Sequence, residues 1–300
     1  MKKLTQKIKG LKKTTKVDFA TYLGVVLAFA AVTLLGRLGL LNRSLTGMLV
    51  PICAYIVMAV SLNLTVGILG ELSLGHAGFM SVGAFSGVIA AQSLQASIPS
   101  APVRLAVAIL VGAVFASAAG FIVGVPVLRL RGDYLAIVTL AFGEIIKELI
   151  NCLLVGYDSR GLHMAFNING SLTISDLGLE PEGIAIIKGA QGATGTTTIA
   201  TFTAGFILIM ITLVIVLNRA GRAIMALRDN RIAAESVGVN VTKYKLMAFV
   251  TSAALAGAAG ALYGLNYSNL AASKFSFDTS ILVLVYVVLG GLGNMWGSIV

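Results

Sequence analysis

Charge is scarce in this chain: only 11% of its 300 residues are Asp, Glu, Lys or Arg, against about 25% in a soluble globular domain. That shortage excludes an ordinary water-soluble fold. Cysteine is nearly absent too, and Cys53 and Cys152 both fall within apolar runs. They offer no extracellular disulfide and no CxxC metal spacing, and they read as small buried residues. The two histidines, His76 and His163, have no cysteine or carboxylate at metal-ligand spacing, so no metal site is expected. No GxxxxGKS or GxxxxGKT stretch occurs, so the chain does not cradle and hydrolyse a nucleoside triphosphate through a P-loop. If ATP drives it, another subunit binds the ATP. Polar groups are too sparse to cluster as the catalytic centre of a membrane-embedded enzyme.

What the chain has instead is apolar bulk: 57% hydrophobic residues and 34 glycines, with a mean hydropathy of +0.94. This predicts an all-α polytopic membrane protein. A helix needs about 20 apolar residues to cross a bilayer, and eight segments qualify: 19–36, 45–69, 72–92, 105–128, 134–155, 199–217, 246–265 and 280–300. The leader 1–17 holds seven lysines. It is followed by nearly a full span with no clean small-residue cleavage site, which favours a retained first helix over a signal peptide. With that leader inside, the loops 129–133 and 218–245 are also inside. Fifteen cations then lie inside and six outside, the bias expected of a cytoplasmic N-terminus. The net charge of +10 is therefore a topology signal, since the cations sit in short loops and not on a soluble face suited to nucleic acid. The apolar run is unbroken at Ile299 and Val300, which leaves room for further spans.

The loop 218–245 carries six cations between two apolar segments. From Gly221 to Val237 it is rich in helix formers. Arg228, Arg231 and Glu235 share one face of the expected helix, Met225 and Ile232 another, and Gly238 is placed as its C-cap. A bilayer-surface helix would carry Trp or Phe on its apolar face; this one has neither, which favours a protein partner. The extracytoplasmic loop 156–198, rich in Gly, Ser, Thr and Asn, fits either a face that receives a soluble binding protein or a plain solvated connector.

Polar residues inside the spans are few. Gly67, Gly70, Gly75 and Gly78 interleave with Asn63, Thr65, Glu71, Ser73 and His76. Transporters hold zwitterionic solutes at broken helices of this composition; a tight cytoplasmic turn with Glu71 at the water interface fits as well. Only Gly70 and Glu71 separate the spans 45–69 and 72–92, so one of them is expected to be broken or re-entrant. Glu144, Lys147 and Glu148 share a helix face and form either a self-compensating group or part of a solute path. The pairs Ala253/Gly257, Ala256/Gly260 and Gly260/Gly264 make a small-residue face for close helix packing. The glycine run 289–297 reads as a helix break or packing site, since it lacks the strand context of a nucleotide-binding loop.

Four stretches, SLNLTVGILGELSLGHAGFMSVGAF (61–85), LRLRGDYLAIVTLAFGEI (128–145), 221–264 and LGGLGNMWGSIV (289–300), together resemble the LivM-type permeases of branched-chain amino acid ABC importers. The resemblance implies a multi-pass subunit of a bacterial inner membrane. It would pair with a homologous permease subunit as a heterodimer, with two ATPase subunits that carry the ATP, and with an extracytoplasmic solute-binding protein. Ile232, Ala233, Ala234 and Gly238 match the spacing of the importer docking motif, with Ile in place of its Glu. This implies an ATPase-docking element comprising Arg228, Ile232, Ala233, Ala234, Glu235 and Gly238. The outer glycine motif of these permeases is only partly present, at Gly189, Gly192 and Gly195. Asn63, Thr65, Ser73, His76 and Glu144 are the candidate substrate pathway. Two alternatives stand: a same-family importer of urea or short amides, and an ion-coupled transporter using Glu71, His76 or Glu144 for protons.

Overall fold

The computed structural model describes residues 13–38, 42–95, 97–130, 132–158, 160–167, 178, 184–185, 198–217, 219–267 and 270–299. The chain divides into two compact units between Met48 and Leu49. In the first, helix α1 (Lys13–Arg37) contains the apolar stretch Thr21–Gly36 and covers the span expected at 19–36. Helix α2 (Arg43–Asn63) begins in this unit and runs into the second.

The second unit is helical. From α2 the backbone widens into a π-helical turn, Leu64–Leu69, and stops at Gly70. Helices α3 (His76–Ser93), α4 (Ala101–Val127) and α5 (Asp133–Cys152) follow. Next come α6 (Thr198–Leu217), α7 (Arg219–Asp229), α8 (Arg231–Ser236) and α9 (Val241–Asn266). A 3₁₀ turn, Ala272–Phe275, leads to α10 (Phe277–Gly290) and α11 (Met295–Ile299). Among the described residues, three helices are long and apolar enough to cross a membrane, Ser44–Leu69, Ala101–Val127 and Val241–Asn266; the 26 residues of the last extend about 39 Å. Thr21–Gly36, Thr201–Val216 and Phe277–Gly290 are shorter apolar helices. The architecture is that of a polytopic membrane protein. The span expected at 72–92 is helical from His76 and that at 134–155 as far as Cys152, but α3 has 18 residues and α5 carries Glu144, Lys147 and Glu148.

Helix α9 lies against α3 and α4 along its small-residue face. A Cβ on Gly257 would fall 2.2 Å from the Ala116 Cβ and 2.7 Å from the Gly112 carbonyl oxygen. One on Gly260 would fall 2.0 Å from the Met80 carbonyl oxygen, and one on Gly83 2.1 Å from that of Gly257. The helices therefore meet backbone to backbone. In a bilayer, apolar side chains gain nothing by leaving lipid for protein, so close contact of this kind is what holds helices together. The opposite face of α4 presents Leu110, Val114, Phe115, Phe121 and Ile122 outward, an apolar surface suited to acyl chains.

A second fixture joins the two breaks. Asn63, fully buried at the end of α2, accepts a hydrogen bond from the Gly293 N–H (2.8 Å) and donates to Ser298 Oγ (2.8 Å) and the Asn294 carbonyl (3.2 Å). Both faces of one amide are thus spent on the turn between α10 and α11.

The structure departs from the sequence expectations in three places. The fold is not purely α-helical: β1 (Leu153–Asp158), β2 (Gly161–Phe166) and β3 (Ile184–Ala185) form an antiparallel sheet in the order β2-β1-β3. The segment 134–155 consequently ends as helix at Cys152 and continues as strand. Asp158 closes the hairpin by accepting from the Arg160 N–H (2.8 Å) and pairing with His163 Nε2 (3.0 Å). The expected helix 221–237 is interrupted at Asn230, whose extended backbone (φ −156°, ψ 104°) starts α8 and whose side chain accepts from the Ala233 N–H, an N-cap. The segment 280–300 is broken after Gly290, as its glycine run led one to expect. Leader residues 1–12, most of the loop 156–198 and Gly189, Gly192 and Gly195 lie outside the described residues.

Two outcomes follow from this packing. Gly257→Val should destabilise the bundle by about 3 kcal/mol, since neither facing backbone can retreat, whereas Gly47→Val, with no atom within 4 Å of its Cβ, should change little; SDS titration in mixed micelles measures both. Asn63→Ala should cost about 2 kcal/mol in the same titration, because the Gly293 N–H is left without its acceptor.

Candidate functional site

The polar residues inside the spans gather where α2 stops. A helix end leaves its last carbonyl oxygens without intrahelical donors. Here the N–H groups of Gly70 and Glu71 both turn back to the Thr65 carbonyl. The Gly67 carbonyl is taken up from outside, by Arg228 Nη1 of α7 at 2.5 Å. The Arg228 side chain lies across Gly70: a Cβ there would be 2.9 Å from Arg228 Cγ, and the backbone at φ 80° is in the left-handed region that favours glycine. Arg228 Nη1 also comes within 3.4 Å of where a Cβ on Gly293 would be. One guanidinium is therefore bonded to the first helix break and lies close beside the second. Beside it, Lys245 at the start of α9 pairs with Glu71, their side chains only 13% and 16% exposed.

Past the break, residues 70–75 have no regular secondary structure and pass close to α5. The Leu74 N–H donates to Thr139 Oγ1 (3.1 Å), and a Cβ on Gly75 would fall 2.0 Å from the Thr139 carbonyl oxygen. At the start of α3 the Ala77 N–H donates to Ser280 Oγ (3.1 Å). His76 is buried with Nε2 2.8 Å from Ser61 Oγ and its ring edge-on to Phe79; Ser252 Oγ in turn donates to the Ser61 carbonyl at 2.5 Å.

Of the candidate pathway residues, Asn63, Thr65, Ser73 and His76 are thus brought together around the break, all buried. Three are engaged within the chain, Thr65 by donating to the Leu62 carbonyl at 2.9 Å. Ser73 Oγ is buried without a hydrogen-bond partner among the described residues. Glu144 has a different task. Its Oε1 accepts from the Phe277 N–H (2.8 Å), one of the free donors at the start of α10, while Oε2 pairs with Lys147, which also reaches Glu148 at 3.3 Å.

An open groove of about 630 Å³ runs beside this layer between α2, α10 and α11. Its walls include Ile52, Tyr55, Ile56, Tyr286, Leu289 and Trp296. The sequence reading did not single these residues out. The signal for them was present: 52, 55, 56 and 59 lie on one helical face.

The docking candidates separate by exposure. Ala234 is 4% exposed and packs into a small core with Leu227, Val241, Val239 and Tyr244. Ile232 and Val237 are 79% and 78% exposed, and Ala233 and Gly238 are exposed as well. Arg231 pairs with Glu235 at 3.1 Å. Gly238, at φ 86°, ends α8 in the left-handed conformation, and the Val239 N–H returns to the Ala234 carbonyl at 3.0 Å. Arg228 lies on α7, before the break at Asn230, and its tip reaches the Gly67 carbonyl, whereas Arg231 and Glu235 pair with each other on α8. No group of three or more His, Cys, Asp or Glu able to hold a metal occurs among the described residues.

The family model described as branched-chain amino acid transport system / permease component matches residues 44–300. The chain is similar to the high-affinity branched-chain amino acid transport system permease protein LivM of Escherichia coli K12, 34% identical over 261 residues, covering 82% of this chain and 58% of that protein. The Salmonella typhimurium protein of the same name is 36% identical over 257 residues, with the same coverage of each chain. A probable branched-chain amino acid transport permease protein LivM of Methanocaldococcus jannaschii is 25% identical over 273 residues, covering 81% of this chain and 74% of that one. The chain thus spans less than two thirds of the length of the two bacterial relatives. No solved structure matches it. With the family model covering all but the first 43 residues, this chain belongs to the branched-chain amino acid transport permease family.

Proposed function

We propose that the chain is a permease subunit of an ATP-driven importer, without enzymatic activity of its own. In this reading it pairs with a homologous permease subunit in a bacterial inner membrane. Two cytoplasmic ATPase subunits bind and hydrolyse the ATP. An extracytoplasmic solute-binding protein delivers leucine, isoleucine or valine. The family match supports the class, and the names of the bacterial relatives support the solute.

The observation that carries the docking assignment is the form of α8. It is a short helix capped by Asn230 at its start and closed after Val237 by the left-handed Gly238, anchored to its own chain by Ala234 and showing Ile232 and Val237 to the outside. An exposed apolar pair on a rigid, capped helix suits insertion into a partner's groove. Ala234 then serves as an internal peg, and Ile232, Ala233 and Val237 make the contact. The ion-coupled alternative draws no support from the same geometry, since Glu71 pairs with Lys245, His76 with Ser61, and Glu144 with Lys147 and the Phe277 N–H.

Ile232→Asp, which alters only an exposed side chain, should lower ATP-dependent leucine uptake by the reconstituted complex roughly tenfold and reduce ATPase co-purification while leaving membrane insertion intact. Unchanged coupled uptake would remove α8 as the docking element. Leucine uptake by this chain alone, in liposomes without ATP, would overturn the importer assignment itself.

A further inference from the structure

In the sequence the cations of the basic loop orient it across the membrane, and Arg228 falls within the docking element. Two of them face the other way. Arg228 and Lys245 lie on either side of α8, on α7 and α9, and both end on the same short stretch of the broken span, at Gly67 and Glu71. We propose that Arg228 and Lys245 are positioning residues that clamp the break at 64–75 to the basic loop, so that displacement of the loop is transmitted to the break.

Four observations converge on this. The Gly67 carbonyl belongs to a helix end, where the macrodipole concentrates negative character and where a cation is favoured. Arg228 is the side chain that satisfies it. The close fit of Arg228 Cγ over Gly70 leaves no room for a side chain at that position, so the arginine is matched in shape to Gly70 and in polarity to the Gly67 carbonyl. Glu71 and Lys245 are both mostly withdrawn from solvent, where an ion pair is screened less than on a surface. The second break is held to the first by Asn63 and comes against the same guanidinium through Gly293. A motion that pulls Arg228 therefore acts on the ends of α2 and α10 together. Lysine could not replace Arg228 in full, because its single ammonium lacks the planar fork that lets one side chain reach Gly67 with Nη1 and keep Nε on Asp229 at 3.5 Å.

The clamp rests on the importer assignment only for its consequence in transport, and the test separates the two. In the assembled complex, leucine taken up per ATP hydrolysed is measured for the native chain, Arg228→Met, Arg228→Lys, Glu71→Lys and the charge-reversed double variant Glu71→Lys/Lys245→Glu. Arg228→Met and Glu71→Lys should lower the ratio roughly tenfold, the scale of one charge-assisted hydrogen bond, with ATP hydrolysis and assembly retained. Arg228→Lys should recover part of it, and the charge reversal should restore most of what Glu71→Lys loses. Ratios within twofold of native for both single variants would overturn the clamp. If Arg228→Met fails to assemble, the Glu71/Lys245 pair still decides: no rescue on reversal counts against it. The second measurement needs no transport. Hydrogen–deuterium exchange on the chain in lipid nanodiscs should show faster exchange at 64–75 in Arg228→Met, and unchanged exchange there would also overturn the clamp. Should the native chain show no ATP-driven uptake, the importer assignment fails and the exchange measurement alone decides the clamp.

Discussion

An α-helix that stops inside an apolar bundle leaves carbonyl oxygens and amide hydrogens without partners, and no water is at hand to supply them. That constraint organises the centre of this molecule. The chain places two interruptions there, after Leu69 and after Gly290, and each is completed by groups from elsewhere. Asn63 serves the turn after α10, Arg228 serves the end of α2, Ser280 serves the start of α3, and Glu144 serves the start of α10. Every one of these contacts is long in sequence and short in space. The breaks are therefore not loose joints; each holds its shape through several other helices.

The choice of side chains follows from what burial costs. Asn63 is uncharged, so full burial is affordable once both ends of its amide are bonded. A guanidinium buried to the same depth would be expensive. Arg228 avoids this by leaving part of its length exposed, 42%, with Asp229 beside it, and by sending only its tip to the Gly67 carbonyl. The Lys245–Glu71 pair lies deeper, but each partner neutralises the other. Asn63, Glu71, His76 and Glu144 are each answered within the chain.

Much of this was legible in the sequence. Low charge and long apolar runs indicated a membrane bundle, and the small-residue row from Ala253 to Gly264 marked the packing face of α9 before any contact was known. The glycine and polar residues from 63 to 78 marked a break, and the glycines from 290 to 297 marked another. The rest depended on tertiary pairing. The strand Leu153–Asp158 is as apolar as the helix before it, so hydropathy carried the span onward; only the partner strand Gly161–Phe166 reveals the change. Asn230 lies in a run of good helix formers, and its capping role shows only once Ala233 is seen to donate to it. Arg228 shares a helical face with Arg231 and Glu235 on a helical projection, but the break at Asn230 places them on separate helices with separate partners. A count of cations by loop assigns a side to the loop; it says nothing about which cation turns inward.

The glycine seam between α3, α4 and α9 has a mechanical consequence. Where backbones touch with no side chains between them, there are no rotamers to repack, and one helix cannot slide along another without steric collision. These three helices form a stiff slab. Any change of shape in the second unit must then occur at its hinges, the turn at Gly70, the notch at Asn230 and the bend at Gly291. The second unit is built like a plate with creases, and the creases lie beside the polar groups that answer one another.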